Sequence, residues 1–188
     1  MNILILGLPG SGKSTQAQLL AGKMGLEYLP SGEIARQLAK KESDDGLAAK
    51  AALQKGELVP TEALFRRIQK ILTSKEVEKG FIFDGYPRDL EQLELLELFL
   101  ESIGKKIDEV VCIDVSEATA NRRLLQRAAV ENRGDDTAKI IETRLKIYSQ
   151  ETAPVVDYYR KLGRLIVVSG EKSIEEIQAE IVHKLHVT

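Results

Sequence analysis

The stretch Gly7-Leu8-Pro9-Gly10-Ser11-Gly12-Lys13-Ser14-Thr15 follows the apolar run Ile3-Leu4-Ile5-Leu6 and leads into a helical pattern over Gln16 to Met24. Glycine at Gly7, Gly10 and Gly12 lets the backbone take conformations closed to other residues and come close to a ligand. Successive amide N–H groups then form a nest at a helix N-terminus, where unpaired donors and the helix dipole both favour an anion. Between a strand and a helix, this spacing is that of a phosphate-binding loop. Lys13 is placed to reach the β and γ oxygens of a nucleotide, and the Ser14 hydroxyl is a candidate ligand for Mg2+.

A second block, Gly80-Phe81-Ile82-Phe83-Asp84-Gly85-Tyr86-Pro87-Arg88, reads as an apolar strand ending in an acid. A carboxylate at the carboxyl end of a strand beside a phosphate loop can orient hydrated Mg2+, which makes Asp84 the expected metal partner. Arg88 and Gln92 are spaced to share a face at the start of the next helix, one toward phosphate and the other toward a base edge.

Between these blocks, Leu26 to Pro30 is extended, and Ser31 is expected to cap a helix through Arg36 to Lys40. A helix from Asp44 to Lys55 ends at Gly56, Glu57 to Pro60 connects, and Thr61 is expected to cap a helix from Glu62 to Leu72. Further on come a strand from Glu109 to Val115 and a helix capped by Ser116 that carries Arg122, Arg123 and Arg127. After a polar break at Glu131 to Asp136, one long helix is expected from Thr137 to Lys161, carrying Arg144. A strand from Arg164 to Ser169, a turn at Gly170 and a helix opened by Ser173 complete the pattern. Strands alternating with helices imply an α/β fold, a parallel sheet with helices on both faces and a ligand at the carboxyl ends of the strands.

The chain has 188 residues, enough for one domain with a substantial core. A composition 43% hydrophobic and 30% charged, with net charge −2, predicts a soluble protein without a nucleic-acid or membrane partner. A single cysteine, Cys112, in an apolar run excludes an internal disulfide and reads as a buried, inert thiol, which suits a reducing compartment. With no export signal or long apolar run in the sequence, the expected location is cytoplasmic. His183 and His186 lie far in sequence from every motif, so they are expected at the surface or the edge of the core.

The inventory has no evident group to orient water for hydrolysis and no base for an alcohol acceptor. Transfer to another phosphate needs neither, because the second pKa of a phosphate monoester is about 6 and its oxygens are anionic at neutral pH. The task is then to hold two polyanions together, which arginines, a lysine and Mg2+ achieve in a cleft that excludes water. Segments that close over the cleft are expected at 30–59 and around 126–136.

On these residues the chain resembles the adenylate kinases, in the short-lid form of the nucleoside monophosphate kinase family. The resemblance rests on Gly7 to Gln18, Ser31-Gly32-Glu33-Ile34-Ala35-Arg36, Lys55 to Pro60, Asp84 to Arg88 with Gln92, Arg123 to Arg127, Arg133-Gly134-Asp135-Asp136, and Arg144-Leu145 with Tyr148. It implies a single P-loop nucleotide-kinase domain over 1–188, a five-stranded parallel sheet, an NMP-binding segment at 30–59 and a short lid at 126–136.

It further implies that Gly10, Ser11, Gly12, Lys13, Ser14 and Thr15 hold the ATP phosphates, with Ser14 or Thr15 toward the metal-bound phosphate. Arg123 would stack on the ATP adenine, Arg127 would hold its phosphates, and the backbone near Gly170 and Lys172 would meet its base. Ser31, Gly32, Arg36, the backbone of Glu57, Leu58 and Val59, the turn Gly85, Tyr86, Pro87 and Arg88, and Gln92 would form the AMP site, with Leu53 against the adenine. Arg133 and Arg144 would reach the phosphates from the lid. A monomer using Mg2+ with ATP, and no structural zinc, is implied as well. Ser31 stands where AMP-specific members usually carry threonine and pyrimidine kinases alanine, so a UMP or CMP kinase stays open at this point. So does a P-loop switch with no acceptor site, although no Asn-Lys-x-Asp guanine motif occurs.

Overall fold

Asn2–Gly7 form the central strand, β1, and every one of its residues is buried. Its side chains alternate between two cores. Leu4 and Leu6 join Phe81, Phe83 and Val110 on one face, whereas Ile3 and Ile5 join Ile82, Val111 and Ile113 on the other. A strand covered on both sides reads as a continuous apolar run, as Ile3 to Leu6 does. The computed structural model describes residues 1–131 and 137–186.

The other strands are β2 (Glu27–Pro30), β3 (Phe81–Asp84), β4 (Glu109–Asp114) and β5 (Leu165–Ser169). All pair in parallel in the order β2-β3-β1-β4-β5, so β1 lies between β3 and β4. The chain reverses its direction of winding at β1, and the crevice at its carboxyl end is where such sheets take ligands. Register brings Ile5 level with Asp84 and Asp84 level with Pro30, so the ends of β1, β3 and β2 open onto one edge.

Helices α1 (Lys13–Met24) and α9 (Ile174–Lys184) cover one face, burying Ala17, Leu20, Ile177 and Ile181. The other face carries α4 (Thr61–Leu72), α5 (Leu90–Ser102) and α8 (Ala153–Lys161), which bury Ile68, Leu72, Leu93, Leu96, Val155 and Tyr159. Helices α2 (Ser31–Ala39), α3 (Asp44–Lys55), α6 (Glu117–Glu131) and α7 (Ala138–Ile147) stand around the carboxyl edge of the sheet. Caps at Gly56 and Ser173 follow the sequence reading: Gly56 takes a left-handed conformation, and Ser173 forms a reciprocal capping box with Glu176.

Three local expectations are corrected. Ser31 is the first residue of α2 rather than its cap, and its hydroxyl bonds instead to the carbonyls of Asp84 and Gly85, both at 2.8 Å. Thr61 likewise lies inside α4 and donates to Glu91 over 2.9 Å. The helix expected from Thr137 to Lys161 is interrupted by a π turn at Tyr148–Thr152, where Ala153 N–H donates to the Tyr148 carbonyl. Pro154 accounts for it, since its ring lacks an N–H and collides with the carbonyl four residues back, that of Gln150.

Cys112 is buried as expected. Burial pushes its thiol up to about 11. His183 and His186 are exposed. Among the described residues no helix is long and apolar enough to cross a membrane.

Candidate active site

The phosphate loop turns on Gly10 and Gly12, which hold φ at +86° and +90°. At Gly10 a side chain is also excluded by space, because a Cβ would lie 2.5 Å from the Ala120 carbonyl of α6. The first helical bond of α1 runs from Gln16 N–H to the Gly12 carbonyl. The N–H groups of Lys13, Ser14 and Thr15 therefore head the helix without partners in it, and no acidic side chain lies in that first turn. An anion fits this end, through donors and dipole alike.

Opposite the loop, β3 ends in Asp84, whose Oδ2 accepts a 2.9 Å bond from the Tyr28 hydroxyl. Its Oδ1 is buried without a hydrogen-bond partner among the described residues. A buried carboxylate oxygen left unpaired is costly unless a ligand or ordered water completes it. Ser14 stands near the same Tyr28 hydroxyl, so loop and acid approach one phenol.

Basic side chains converge next to this acid. A Cβ placed at Gly85 would lie 3.1 Å from Lys13 Cε, 3.5 Å from Ser31 Oγ and 3.7 Å from Arg88 Nη2. One placed at Gly32 would lie 3.6 Å from Arg36 Nη1 and 3.9 Å from Arg88 Nη2. Glycine at both positions leaves the space between Lys13, Arg88 and Arg36 open. Arg36 also pairs with Glu33 at 3.0 Å.

Arg88 is held on every side. Its Nε donates to the Gly85 carbonyl at 2.9 Å, its N–H to Gln92 Oε1 at 3.0 Å, and its carbonyl accepts from Thr152 at 2.7 Å. Arg88 precedes α5 rather than beginning it. Asp89 is the cap, accepting Gln92 N–H at 2.7 Å. The Gln92 carbonyl, expected to face a base, is thus engaged by Arg88.

These groups line one cleft of about 470 Å³. Of the residues singled out from sequence, Gly10, Gly12, Lys13, Ser14, Thr15 and Asp84 form its floor. Ser31, Gly32, Arg36, Gly85, Arg88 and Gln92 line one wall, and Leu53, Glu57, Leu58 and Val59 extend it. Arg123, Arg127 and Arg144 line it as well, Arg144 next to Gly56. Ser11 is buried beneath the loop, and Tyr86 lies in the core with its ring 5.2 Å from that of Phe83. Neither lines the cleft, nor do Pro87, Gly170 or Lys172. Arg133 lies outside the described residues.

Tyr28, Tyr148 and Thr152 also line the cleft and were not anticipated as site residues. Tyr28 sits in a short edge strand, and Thr152 gains its place from the π turn, so neither carries a signal in local sequence. The segment 30–59 meets α7 across the cleft, since a Cβ at Gly56 would lie 2.9 Å from Ile140 Cγ2 and 3.5 Å from Arg144 Cγ.

The cleft is strongly cationic. Burial lowers the Lys13 ammonium to about 8, and the charges of Arg88, Arg127 and Arg144 add to the shift against the opposing pull of Asp84. Burial likewise lowers Arg88, again against Asp84 and with Arg144 and Arg36 adding to it. A site that penalises its own cations in this way is matched to a polyanion.

The adenylate kinase family model matches residues 5–164. The chain belongs to the adenylate kinase family. An adenylate kinase of Parabacteroides distasonis is 38% identical over 181 residues, covering 96% of this chain and 95% of its own length. One of Stenotrophomonas maltophilia is 39% identical, covering 96% and 97%. One of Methanosarcina barkeri is 35% identical over 207 aligned positions, covering 96% of each chain. That alignment is longer than the 188 residues here, so the Methanosarcina protein carries insertions that this chain lacks. As a member of the family the chain is a nucleoside monophosphate kinase, and these matches do not favour a pyrimidine kinase or a switch.

Proposed function

We propose that this adenylate kinase family member reversibly transfers the γ-phosphoryl group of Mg-bound ATP to AMP, giving two ADP. The observation that carries the reading is the convergence of Lys13, Arg36 and Arg88 on the space above Gly32 and Gly85, at the mouth of an uncapped α1. That arrangement suits two phosphate groups brought together from opposite walls.

In this reading the amides of Gly10 to Thr15 receive the donor phosphates, and Arg123 and Arg127 flank them. Arg36 and Arg88 receive the AMP phosphate, with Leu53, Val59 and Gln92 around its base and Arg144 reaching from α7. An oxygen of the AMP phosphate attacks the γ-phosphorus as the bond from that phosphorus to the β,γ-bridging oxygen breaks, and ADP leaves carrying the charge. No base is required, since the attacking oxygen is already anionic. Lys13 and the arginines act by stabilising charge spread over the equatorial oxygens and by holding the reactants in line.

Mg2+ fits the donor set. Asp84 offers one unpaired buried oxygen, and the described residues contain no cluster of three acidic, histidine or cysteine ligands. Mg2+ keeps several waters and takes few protein ligands, so Asp84 would hold it through water beside Ser14, with phosphate oxygens supplying the rest. When bound, the ion neutralises charge on the β- and γ-phosphates. We read the enzyme as a cytoplasmic monomer without nucleic-acid or membrane partners, in keeping with a net charge of −2.

A coupled assay with ATP-Mg2+ and, separately, AMP, CMP, UMP and GMP tests the reading. Turnover confined to AMP is expected. Turnover with a pyrimidine monophosphate would refute the acceptor assignment, and turnover with no acceptor would refute the transferase.

A further inference from the structure

The loop after β5 is wedged into the end of the sheet. Gly170 N–H donates to the Asp114 carbonyl at 2.7 Å, and a Cβ at Gly170 would lie 2.6 Å from Val115 Cγ1 and 3.2 Å from the Ser11 carbonyl. Arg123 of α6 bridges this loop to the phosphate loop, donating to the Gly170 carbonyl at 2.9 Å and to the Ser11 carbonyl at 3.3 Å. Three segments therefore meet at one guanidinium: the phosphate loop, α6 and the turn at Gly170.

What sets α6 against that turn is Glu171. One carboxylate oxygen accepts from Ser116 N–H at 2.8 Å and from Ser116 Oγ at 3.0 Å, and the other accepts from Thr119 Oγ1 at 2.9 Å. Thr119 and Arg123 are one helical turn apart on the same face of α6, so both reach the same loop, one through Glu171 and the other through Gly170. The next residue fastens in the other direction, with Lys172 Nζ donating to Glu180 of α9 at 2.7 Å. The turn is thus tied to a helix on each side. The hydrogen bonds from Ser116 and Thr119, with the charge of Arg123 beside them, hold the Glu171 carboxyl below the usual glutamate range.

We propose that Glu171 is a positioning residue for the ATP side of the cleft, strapping the turn after β5 to the first turn of α6 and so fixing Arg123 and Gly170 relative to the phosphate loop. The inference rests on the proposed function only in taking Arg123, which lines the cleft, as a residue that flanks the donor nucleotide. Glu171 itself does not line the cleft, so it acts through its neighbours. Without the strap, part of the ordering that the fold now supplies must be provided by ATP as it binds, and affinity falls accordingly. Among the described residues the hydrogen bonds of the Glu171 carboxylate go to Ser116 and to Thr119 of α6, and none goes to the AMP wall built from α2, α3 and the turn before α5.

The test is calorimetric titration of ATP and, separately, of AMP into the full chain and into Glu171→Ala, Glu171→Gln and Thr119→Val, alongside the turnover assay and thermal melts. Glu171→Ala is expected to weaken ATP about fivefold, with AMP affinity and turnover at saturating ATP within about twofold of the parent. Glu171→Gln keeps one acceptor for Ser116 and should fall between, and Thr119→Val, which severs one bond of the strap from the other side, should weaken ATP in the same sense. An ATP affinity unchanged in Glu171→Ala overturns the inference, as does an equal loss for ATP and AMP, which would mark a general structural role. Should Glu171→Ala not accumulate in folded form, Thr119→Val decides by the same comparison. Parent protein that binds ATP but turns over no acceptor would refute the proposed function alone, while the ratio of ATP to AMP affinities still decides the role of Glu171.

Discussion

The hydroxyl of Thr152 donates to the main-chain carbonyl of Arg88 over 2.7 Å, joining positions 64 residues apart. With Gln92 accepting the Arg88 N–H, both main-chain polar groups of this arginine are taken by side chains. Thr152 reaches it from the π turn that Pro154 imposes, and it is buried, so no exposed group replaces the bond if the hydroxyl is lost. Thr152→Val keeps the shape and removes the donor. A net hydrogen bond of about 1 kcal/mol is expected to disappear from stability, and turnover with AMP is expected to fall about fivefold as Arg88 loosens. Thr152→Ser should restore both. In an Arg88→Ala background the valine change should cost no further turnover, because coupled residues are not additive. Steady-state kinetics and melting curves on the parent and these four variants check this.

Lys13 gives the pH dependence. Its ammonium titrates at about 8 in the fold, against 10.5 for the exposed group. Between those values the unfolded chain holds a proton that the folded chain has released. Unfolding free energy therefore rises with pH across this window, by at most about 1.4 kcal/mol per unit, and the burden of the buried charge is fully present below it. Bound phosphates reverse the shift by favouring the ammonium, so ATP binding should take up a proton in the same window and weaken as pH rises above about 8. Calorimetry near pH ~8.5 in two buffers of different ionisation enthalpy should show this uptake, and Lys13→Met should abolish it. Uptake persisting in that variant would assign the proton elsewhere.

In the proposed reading Asp84 would orient Mg2+ through water, with Tyr28 holding its carboxylate. Asp84→Asn leaves the hydrogen bond from Tyr28 but removes the charge, whereas Tyr28→Phe keeps the charge and frees Oδ2 to turn. Loss of an orienting partner around a metal site typically costs about tenfold or more in metal affinity. A rise of that order in the Mg2+ concentration for half-maximal turnover is expected for Tyr28→Phe, and a larger one for Asp84→Asn. A Mg2+ titration of turnover at fixed total ATP measures both.

The sheet and the phosphate loop were legible because their signals are local. Ile3 to Leu6 reads as a strand buried on both faces, and Gly10 and Gly12 sit where the chain needs positive φ. Arg88, Arg36 and Asp84 were legible as residues of one cleft, since Asp84 ends β3, Arg88 follows in the turn before α5 and Arg36 is carried by the short helix α2 after β2. Side-chain roles that depend on distant partners were not. Ser31 and Thr61 have the composition of helix caps, but tertiary partners claim their hydroxyls, at Asp84 and Gly85 in one case and Glu91 in the other. Pro154 falls inside the single helix expected over 137–161, where no break was expected, and its consequence, a π turn that presents Thr152 to Arg88, depends on how the widened helix packs. Tyr86 was expected in the turn of the AMP site, but its ring is turned into the core against Phe83.

Gln92 carries the last prediction, because the structure gives its two amide atoms different work. Oε1 accepts the Arg88 N–H at 3.0 Å, while Nε2 makes no hydrogen bond among the described residues, and the side chain lines the cleft. Gln92→Asn withdraws the whole amide by one methylene and should break the Arg88 contact, lowering turnover for every acceptor. Gln92→Glu retains an acceptor for Arg88 and removes only the donor. If Nε2 reads the adenine edge, Gln92→Glu should keep Arg88 in place yet lose AMP affinity about tenfold or more, since a base nitrogen that accepted from the amide then faces a carboxylate. Acceptor kinetics for AMP and CMP on both variants separate these effects. A Gln92→Glu enzyme with unaltered preference for AMP would restrict the residue to holding Arg88, and the choice of base would then fall to Ser31 and to the apolar wall of Leu53, Val59 and Leu64.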